Sequence, residues 1–158
     1  MPDKIKVLMV CHGNICRSVA AQYIFTDMIR KAGRQAEFLI ESAATTREEI
    51  GAPIYPLMRA TLERHGVPIG DHRAVQVTKT DYQNYDLIIG MDRENLCDLN
   101  RILGADPDGK IQNLLAYAGR GEDEVFDPWY SRDFEQAYRD IKEGCEGLLK
   151  AIDEGLSA

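Results

Sequence analysis

Apolar and polar residues alternate along this chain in blocks that predict strands and helices in turn. Short, continuous apolar runs predict buried strands at residues 5–10, 37–43 and 86–91, with a brief fourth strand at 110–113. Between these runs, apolar residues recur at helical spacing. They predict a single helical turn at 80–84 and longer helices that begin near Ser18, Pro53, Arg93 and Phe134.

This alternation is typical of an α/β fold, because right-handed crossovers place helices on both faces of a parallel sheet. We expect one three-layer domain over residues 1–158, with a four-stranded parallel sheet of the flavodoxin-like kind. A chain of 158 residues with 44% hydrophobic content can bury about two-thirds of its unfolded surface. Sites in such sheets lie at the carboxyl ends of the strands. Cys11, Ser42 and Asp92 each end or follow a different predicted strand, so we expect them at one edge.

The net charge and the cysteine content limit which classes of binding partner and which cellular compartment are compatible with this chain. A formal net charge of −7 argues against nucleic-acid and anionic membrane partners, since both bind a basic surface. No apolar run approaches the roughly 18–20 residues of a membrane span, and the first residues lack the pattern of a secretory signal. Four cysteines in a chain of this size fit a reducing compartment better than a disulfide framework. We therefore expect a cytoplasmic protein.

The strongest chemical signal is a Cys-(x)5-Arg-Ser motif at residues 11–18. Cys11 follows a buried strand, and Arg17 and Ser18 stand where the next helix begins. Such a turn directs backbone N–H groups and the positive end of the helix dipole at one point, where a phosphate dianion can bind. The same field favours the thiolate form of a cysteine. A lone cysteine in an apolar strand is more often a packed core residue, but the spacing to Arg17 favours a nucleophile in an anion-binding loop.

The residue types inside the motif suit this chemistry. Gly13 and Asn14 tolerate the left-handed backbone that a tight anion loop needs. Arg17 has a planar guanidinium that can hold two phosphate oxygens, and Ser18 can donate its hydroxyl to the sulfur of Cys11. We expect every residue of the loop to take part in phosphate binding: Cys11, His12, Gly13, Asn14, Ile15, Cys16, Arg17 and Ser18.

The loop and several later segments resemble the low molecular weight protein-tyrosine phosphatases. The family signature, Val-Cys-x-Gly-Asn-x-Cys-Arg-Ser, is found at residues 10–18. Further matches extend over nearly the whole chain, at residues 41–43, 72–74, 77–78, 91–92, 95–96 and 125–130. The resemblance implies a phosphatase that hydrolyses phosphotyrosine in proteins, or small aryl phosphates, through a phosphocysteine on Cys11. We expect no cofactor and no metal, and a monomer or a weak dimer.

The resemblance also implies roles for residues around the nucleophile. In the family, a serine and a histidine brace the loop asparagine, which assigns Ser42 and His72, together with Ser18, to the support of Asn14. The family also carries a second loop cysteine, here Cys16. Such a cysteine can trap an oxidised nucleophile as a disulfide and so protect it from irreversible over-oxidation.

A general acid is needed as well, because a phenolate leaves poorly unless it is protonated as the P–O bond breaks. Asp127 is the predicted acid, since Pro128 stiffens the backbone after it and aromatic residues stand beside it. Asp92 is the competing carboxylate, but an aspartate directly before a helix is usually its N-cap. The predicted catalytic residues are therefore Cys11, Arg17 and Asp127.

The wall that receives the substrate is predicted from Trp129, Tyr130 and Glu48. In the family an aromatic residue usually lines this wall, and Glu48 stands nearest to its place. A carboxylate there disfavours acidic phosphopeptides. We therefore hypothesise a preference for neutral or basic flanking residues, or for small aryl phosphates.

Two other functions could use a cysteine after a first strand. A thioredoxin-coupled arsenate reductase has the same loop and fold, but it relays a disulfide through further cysteines, and Cys97 alone lies in the middle of this chain. We expect Cys97 to be half-buried, and Cys145 to be inert in the last helix. A phosphocysteine carrier protein would store phosphate, whereas Arg17 together with Asp127 favours turnover.

Overall fold

A four-stranded parallel sheet forms the centre of the computed structural model, which describes residues 3–155. Its strands are β1 (Ile5–Cys11), β2 (Phe38–Ala44), β3 (Leu87–Gly90) and β4 (Ile111–Asn113), in the spatial order β2-β1-β3-β4. Each neighbouring pair is parallel. The predicted flavodoxin-like sheet is therefore confirmed, because this is the strand order of that fold.

Helices cover both faces of the sheet. Their bounds are α1 (Arg17–Lys31), α2 (Pro56–Arg64), α3 (Asp81–Asn84), α4 (Arg93–Leu103), α5 (Pro128–Ser131) and α6 (Phe134–Asp153), with 3₁₀ turns at Gln35–Glu37 and Leu114–Ala118. The helices predicted near Ser18, Arg93 and Phe134 and the turn at 80–84 are confirmed. None of the helices within residues 3–155 has the length and apolar character needed to cross a bilayer.

The second long helix begins later than the sequence predicted. Its first residue is Pro56, not Pro53. A residue that precedes a proline is disfavoured in the helical conformation, and Tyr55 is accordingly extended, with φ −60° and ψ 132°. A helix from Pro53 would require Tyr55 to be helical. Pro56 is a suitable first residue, because the N–H group that proline lacks would have no partner within the helix at that position.

Alternate residues of β1 pack on opposite faces of the sheet. Val7 and Met9 belong to the larger core with α1 and α6, whereas Leu8 and Val10 belong to the smaller core on the other face. Cys11 continues the first of these series and belongs to the larger core. The register of β1 thus turns the Cys11 side chain toward the side on which α1 packs.

Helix α6 lies very close to the 3₁₀ turn that follows β4. A Cβ atom added at Gly147 would lie 2.2 Å from the carbonyl oxygen of Tyr117, and one added at Gly144 would lie 2.5 Å from Cγ of Leu114. Only glycine leaves room for this approach. The contact fixes the start of the polar segment that leads to Asp127.

Candidate active site

The loop between β1 and α1 turns tightly around the sulfur of Cys11. Asn14 has a left-handed backbone with φ 59°, whereas Gly13, the other residue expected to favour such angles, does not adopt them. The backbone N–H groups of Asn14 and Ser18 point at Sγ of Cys11, with N···S distances of 3.3 and 3.4 Å. The hydroxyl oxygen of Ser18 lies 3.0 Å from the same sulfur. These donors are arranged to stabilise negative charge on Cys11.

The side-chain amide of Asn14 holds this loop in place. Its Oδ1 accepts the backbone N–H of Val75 at 3.2 Å and lies 2.7 Å from Nε2 of His72. Because the N–H of Val75 can only donate, Oδ1 must face it, and His72 therefore carries a proton on Nε2. Nδ2 of Asn14 donates to Oγ of Ser18 at 2.8 Å, which leaves the hydroxyl proton of Ser18 free to point at Cys11.

Ser42 does not have the role that the family resemblance implied. Its hydroxyl donates to Oε1 of Gln22 at 2.5 Å rather than to Asn14. Gln22 lies one helical turn beyond Ser18 on α1 and is buried, and its Nε2 donates to a backbone carbonyl of β2 at 3.4 Å. A buried amide needs such partners. The expectation is therefore corrected: Ser42 fastens α1 to the sheet and reaches the loop only through that helix.

Arg17 is a buried cation with a fixed orientation. Its Nη1 lies 2.9 Å from Oδ2 of Asp92 and donates to the carbonyl oxygen of Val125 at 3.2 Å. Its Nη2 lies 3.7 Å from Oδ2 of Asp127. Burial by itself lowers the pKa of Arg17, but the neighbouring Cys11, Asp92 and Asp127 outweigh this effect and raise the pKa above its usual value. The guanidinium is therefore always charged.

Asp92 has the structural role that was predicted and a second one. Its Oδ1 accepts the backbone N–H of Asn95 at 2.7 Å, which confirms it as the N-cap of α4. Its Oδ2 pairs with Arg17. No sequence signal indicated this pair, because the two residues lie on different elements and meet only through the order of the strands. The cap fixes the carboxylate, and the carboxylate fixes the guanidinium.

A cavity of about 510 Å³ opens at this loop. Beyond the loop residues, its walls are formed by Glu48, Glu49, Asp92, Glu94, Asn95, Asp127, Trp129 and Tyr130. The three predicted wall residues therefore all lie at the cavity. Cys11 lines it as well, although the residue as a whole is only 4% exposed. Asn14 and Ser18 are buried behind the loop and hold it from the rear.

One part of this wall is ionic. The ring of His12 pairs through Nε2 with Oε2 of Glu48, and its Nδ1 lies 3.8 Å from Oε1 of Glu94. All three side chains are substantially exposed, so they form the rim of the cavity rather than its floor. The sequence pointed to Glu48 but not to Glu94, which is brought to the rim by the start of α4.

Asp127 faces Arg17 from another part of the wall. Its Oδ1 accepts the backbone N–H of Trp129 at 3.0 Å and so caps α5, and its Oδ2 is the atom nearest to Arg17. The side chain is 47% exposed, which leaves it open to a substrate and to water. The ring of Trp129 packs on Tyr55 with a centroid distance of 5.3 Å, and this contact fixes the aromatic wall beside the carboxylate.

The other cysteines occupy different environments. Cys16 is half-buried in the loop, and burial raises the pKa of its thiol well above the usual value. Cys145 is fully buried in α6, as expected. Cys97 is exposed, so the expectation of a half-buried residue is wrong. The buried residues of α4 are Asn95 and Leu99, and a position midway between them points away from the core.

Comparison with known proteins identifies close similarity over the whole fold. The family model described as low molecular weight phosphotyrosine protein phosphatase matches residues 6–158. The low molecular weight protein-tyrosine-phosphatase YfkJ of Bacillus subtilis (strain 168) is 37% identical over 151 residues, which are 95% of this chain and 97% of that protein. The human low molecular weight phosphotyrosine protein phosphatase is 36% identical over 148 residues, covering 91% of this chain and 93% of the human protein.

Solved structures show the same similarity. The crystal structure of YfkJ from Bacillus subtilis superposes with a TM-score of 0.93 at 36% identity, covering 99% of both chains. The crystal structure of DARP, a Drosophila arginine phosphatase, superposes with a TM-score of 0.85 at 32% identity, covering 94% of this chain and 98% of that one.

The position of His72 against Asn14 predicts a pH dependence of stability. Burial lowers the pKa of His72 below its ordinary value of 6.5, and the nearby Asp71 only partly opposes this effect. As the pH falls through 6.5, the unfolded chain therefore binds a proton at His72 before the folded protein does, and folding is weakened. His72→Gln lacks this proton but keeps an N–H donor for Oδ1 of Asn14.

Denaturant unfolding of both proteins from about pH 7.5 to about pH 5.5 measures this effect. We expect the denaturant concentration at the unfolding midpoint of the wild type to fall relative to that of His72→Gln as the pH decreases. Other titrating groups are common to both proteins and cancel in the comparison. A midpoint difference that stays constant, or that grows in the opposite direction, would contradict the assigned state of His72.

Proposed function

The chain belongs to the low molecular weight phosphotyrosine protein phosphatase family, and we propose that Cys11, Arg17 and Asp127 carry out its catalysis. Membership makes it a protein phosphatase that acts on phosphotyrosine. One observation supports the three roles: a single cavity joins a cysteine surrounded by N–H donors, a fixed guanidinium and an open carboxylate beside that guanidinium. Each group is of the type that phosphoryl transfer through a covalent intermediate requires.

Substrate binding uses the loop as an anion receptor. The non-bridging phosphate oxygens accept bonds from backbone N–H groups of residues 12–18 and from Arg17, whose orientation Asp92 fixes. The aryl group then lies along the wall formed by Trp129 and Tyr130. The loop is held by Asn14 before any anion enters, so little reorganisation is needed when the substrate binds.

The first chemical step transfers the phosphoryl group to Cys11. The thiolate attacks phosphorus in line with the scissile P–O bond, and the protonated carboxyl of Asp127 donates its proton to the leaving phenolate. The products are a phosphocysteine, a free tyrosine hydroxyl and an ionised Asp127. Arg17 follows the phosphate oxygens as charge moves during this transfer.

The second step reverses these roles. Asp127 takes a proton from a water molecule, whose oxygen attacks phosphorus while the P–S bond breaks. Inorganic phosphate leaves and the thiolate of Cys11 is restored. The N–H groups of Asn14 and Ser18 and the hydroxyl of Ser18 stabilise that thiolate as a leaving group.

The two alternative functions fit the surroundings of Cys11 less well. A thioredoxin-coupled relay needs a further reactive cysteine beyond Cys11 and Cys16, but Cys97 lies on the exposed side of α4, outside the cavity wall, and Cys145 lies in the core. A phosphate carrier needs a stable phosphocysteine, and an open carboxylate such as Asp127 at the same cavity favours its hydrolysis.

Substitution of the nucleophile and of the acid tests these roles. We expect Cys11→Ser to abolish release of phosphate from a phosphotyrosine peptide, because a serine hydroxyl is not ionised at neutral pH. Asp127→Ala should lower kcat by about a hundredfold or more, the usual contribution of a general acid. Glu122→Ala is the matched control, since Glu122 is a nearly fully exposed carboxylate in the same segment.

Steady-state release of inorganic phosphate measures all three variants. Full activity of Cys11→Ser, or equal activity of Asp127→Ala and Glu122→Ala, would contradict the assignment.

A parallel assay with phosphoarginine tests the substrate class, because one similar structure is that of an arginine phosphatase. Faster turnover of phosphoarginine than of phosphotyrosine would leave the catalytic residues in place and change the substrate.

We further propose that the ionic rim formed by His12, Glu48 and Glu94 selects the residues around the phosphotyrosine. Two carboxylates flank one histidine there, and Glu49 adds another carboxylate to the cavity wall. A peptide with basic residues beside the phosphotyrosine gains Coulomb attraction, and an acidic peptide is repelled. Exposed pairs contribute about 0.2–1 kcal/mol each, so the preference should be a few-fold.

Paired phosphotyrosine peptides that differ only in lysine or glutamate flanks measure this preference. We expect the basic peptide to have the higher kcat/KM, and Glu48→Gln to reduce the ratio by roughly two- to fivefold. Added salt should reduce the ratio as well, because it screens exposed charges. Glu146→Gln, on α6 and outside the cavity, is the control for net charge. Equal kcat/KM for both peptides in the wild type would refute the proposal.

Cys16 is proposed as the redox partner of Cys11, as the family resemblance implies. Peroxide converts the Cys11 thiolate to a sulfenic acid, and the thiol of Cys16 then displaces water to form a disulfide. This chemistry preserves the nucleophile only where thiol reductants restore it, which supports the proposed cytoplasmic location.

Brief peroxide treatment followed by a dithiol reductant tests the role of Cys16. The wild type should recover most of its activity, and Cys16→Ser should lose it permanently, because its sulfenic acid is oxidised further. Cys97→Ser is the control, since Cys97 is exposed and lies outside the cavity wall. Equal recovery in Cys16→Ser and the wild type would exclude a protective disulfide.

A further inference from the structure

Asp140 is a carboxylate on α6 that is only 4% exposed. Its Oδ2 accepts the backbone N–H of Phe126 at 2.9 Å, and Phe126 directly precedes Asp127. Burial of a carboxylate is unfavourable unless it is hydrogen-bonded and paired. We propose that Asp140 is a positioning residue that holds the Asp127 carboxylate at the cavity, an inference that rests on the role of Asp127 proposed above.

Three hydrogen bonds fix the backbone just before the acid. The N–H of Val125 donates to the carbonyl oxygen of Met91 at 2.8 Å, and the carbonyl oxygen of Val125 accepts from Arg17 at 3.2 Å. The third is the bond from Phe126 to Asp140. Phe126 is 37% exposed, so packing in the core does not hold this residue. Asp140 is therefore the last anchor before the acid.

Arg120 balances the charge of Asp140 and ties the polar segment before Val125 to α6. Its Nη1 lies 3.3 Å from Oδ1 of Asp140 and 3.2 Å from Oε1 of Glu143, and its Nε donates to Asp123 at 2.8 Å. Oδ1 of Asp140 thus faces a cation while Oδ2 remains directed at the backbone. Asp140 thus contacts both ends of the segment, Arg120 through Oδ1 and Phe126 through Oδ2.

Loss of this anchor affects the step in which the acid donates its proton. Without Asp140, the N–H of Phe126 has no acceptor, and the carboxylate of Asp127 is no longer held beside the leaving oxygen. Proton donation matters most for a poor leaving group. A phenolate depends on it, whereas the less basic p-nitrophenolate leaves with little help. The defect should therefore appear as a change in leaving-group dependence and not as a uniform loss of rate.

Asp140→Ala tests the proposal with phenyl phosphate and p-nitrophenyl phosphate as substrates. We expect kcat/KM for phenyl phosphate to fall about tenfold or more, and kcat/KM for p-nitrophenyl phosphate to fall less than about threefold. The ratio of the two values is independent of the amount of folded enzyme, because that amount cancels. A purely structural role lowers both values alike, and an unchanged ratio would overturn the proposal.

Four further variants separate the possible causes. Glu143→Ala removes another partner of Arg120 without touching Phe126, so its ratio should equal that of the wild type. Asp140→Asn keeps only one acceptor oxygen, which Arg120 and Gln136 would hold on the Oδ1 side, so the N–H of Phe126 loses its acceptor and the ratio should change as it does in Asp140→Ala. If Asp140→Ala gives no soluble protein, Asp140→Ser carries the same expectation, because its hydroxyl is too short to reach Phe126. If Asp127→Ala changes the ratio of the two kcat/KM values and Asp140→Ala does not, only the positioning role of Asp140 is refuted. If Asp127→Ala itself leaves the ratio unchanged, the proposed role of Asp127 is refuted.

Discussion

Backbone N–H groups of Asn14 and Ser18 converge on the sulfur of Cys11, and the rest of the site depends on the turn that brings them there. This turn requires a left-handed backbone at Asn14, which costs an L-residue roughly 1–2 kcal/mol. The amide of Asn14 makes three hydrogen bonds, and each contributes about 1 kcal/mol net. Because these bonds outweigh the strain, the loop keeps its shape without a bound anion, and its dipoles are preorganised for charge on sulfur and on phosphate.

The parallel sheet brings distant parts of the sequence to this turn. Strands β1 and β3 are neighbours in register, with Val10 opposite Gly90, so the residues that follow them emerge side by side. Cys11 follows on one strand, and Asp92 lies just beyond the other. The carbonyl of Met91 then holds Val125, and this contact carries the acid-bearing segment to the same edge. Nucleophile, guanidinium and acid meet because three chain segments end at one edge of one sheet.

Much of this arrangement was accessible from sequence because its signals are local. The apolar runs predicted the strands, the Cys-(x)5-Arg-Ser spacing predicted the loop, and an aspartate before a helix predicted the cap at Asp92. The contacts that were missed depend on how packed elements face each other. The rotation of α1 pairs Ser42 with Gln22, the strand order pairs Asp92 with Arg17, and the phase of α4 exposes Cys97. Spacing along one segment carries no information about such contacts, whereas the late start of α2 was readable from the proline after Tyr55.

The proposed chemistry requires the sulfur of Cys11 to form a transient bond to phosphorus. Rapid quenching during turnover of a phosphotyrosine peptide, followed by peptide mapping with mass spectrometry, detects this bond. We expect one phosphoryl group, attached to Cys11, that appears within the first turnover and is absent once substrate is exhausted. A phosphoryl group on His12 or Ser18, or no phosphorylated enzyme at any time during turnover, would contradict it.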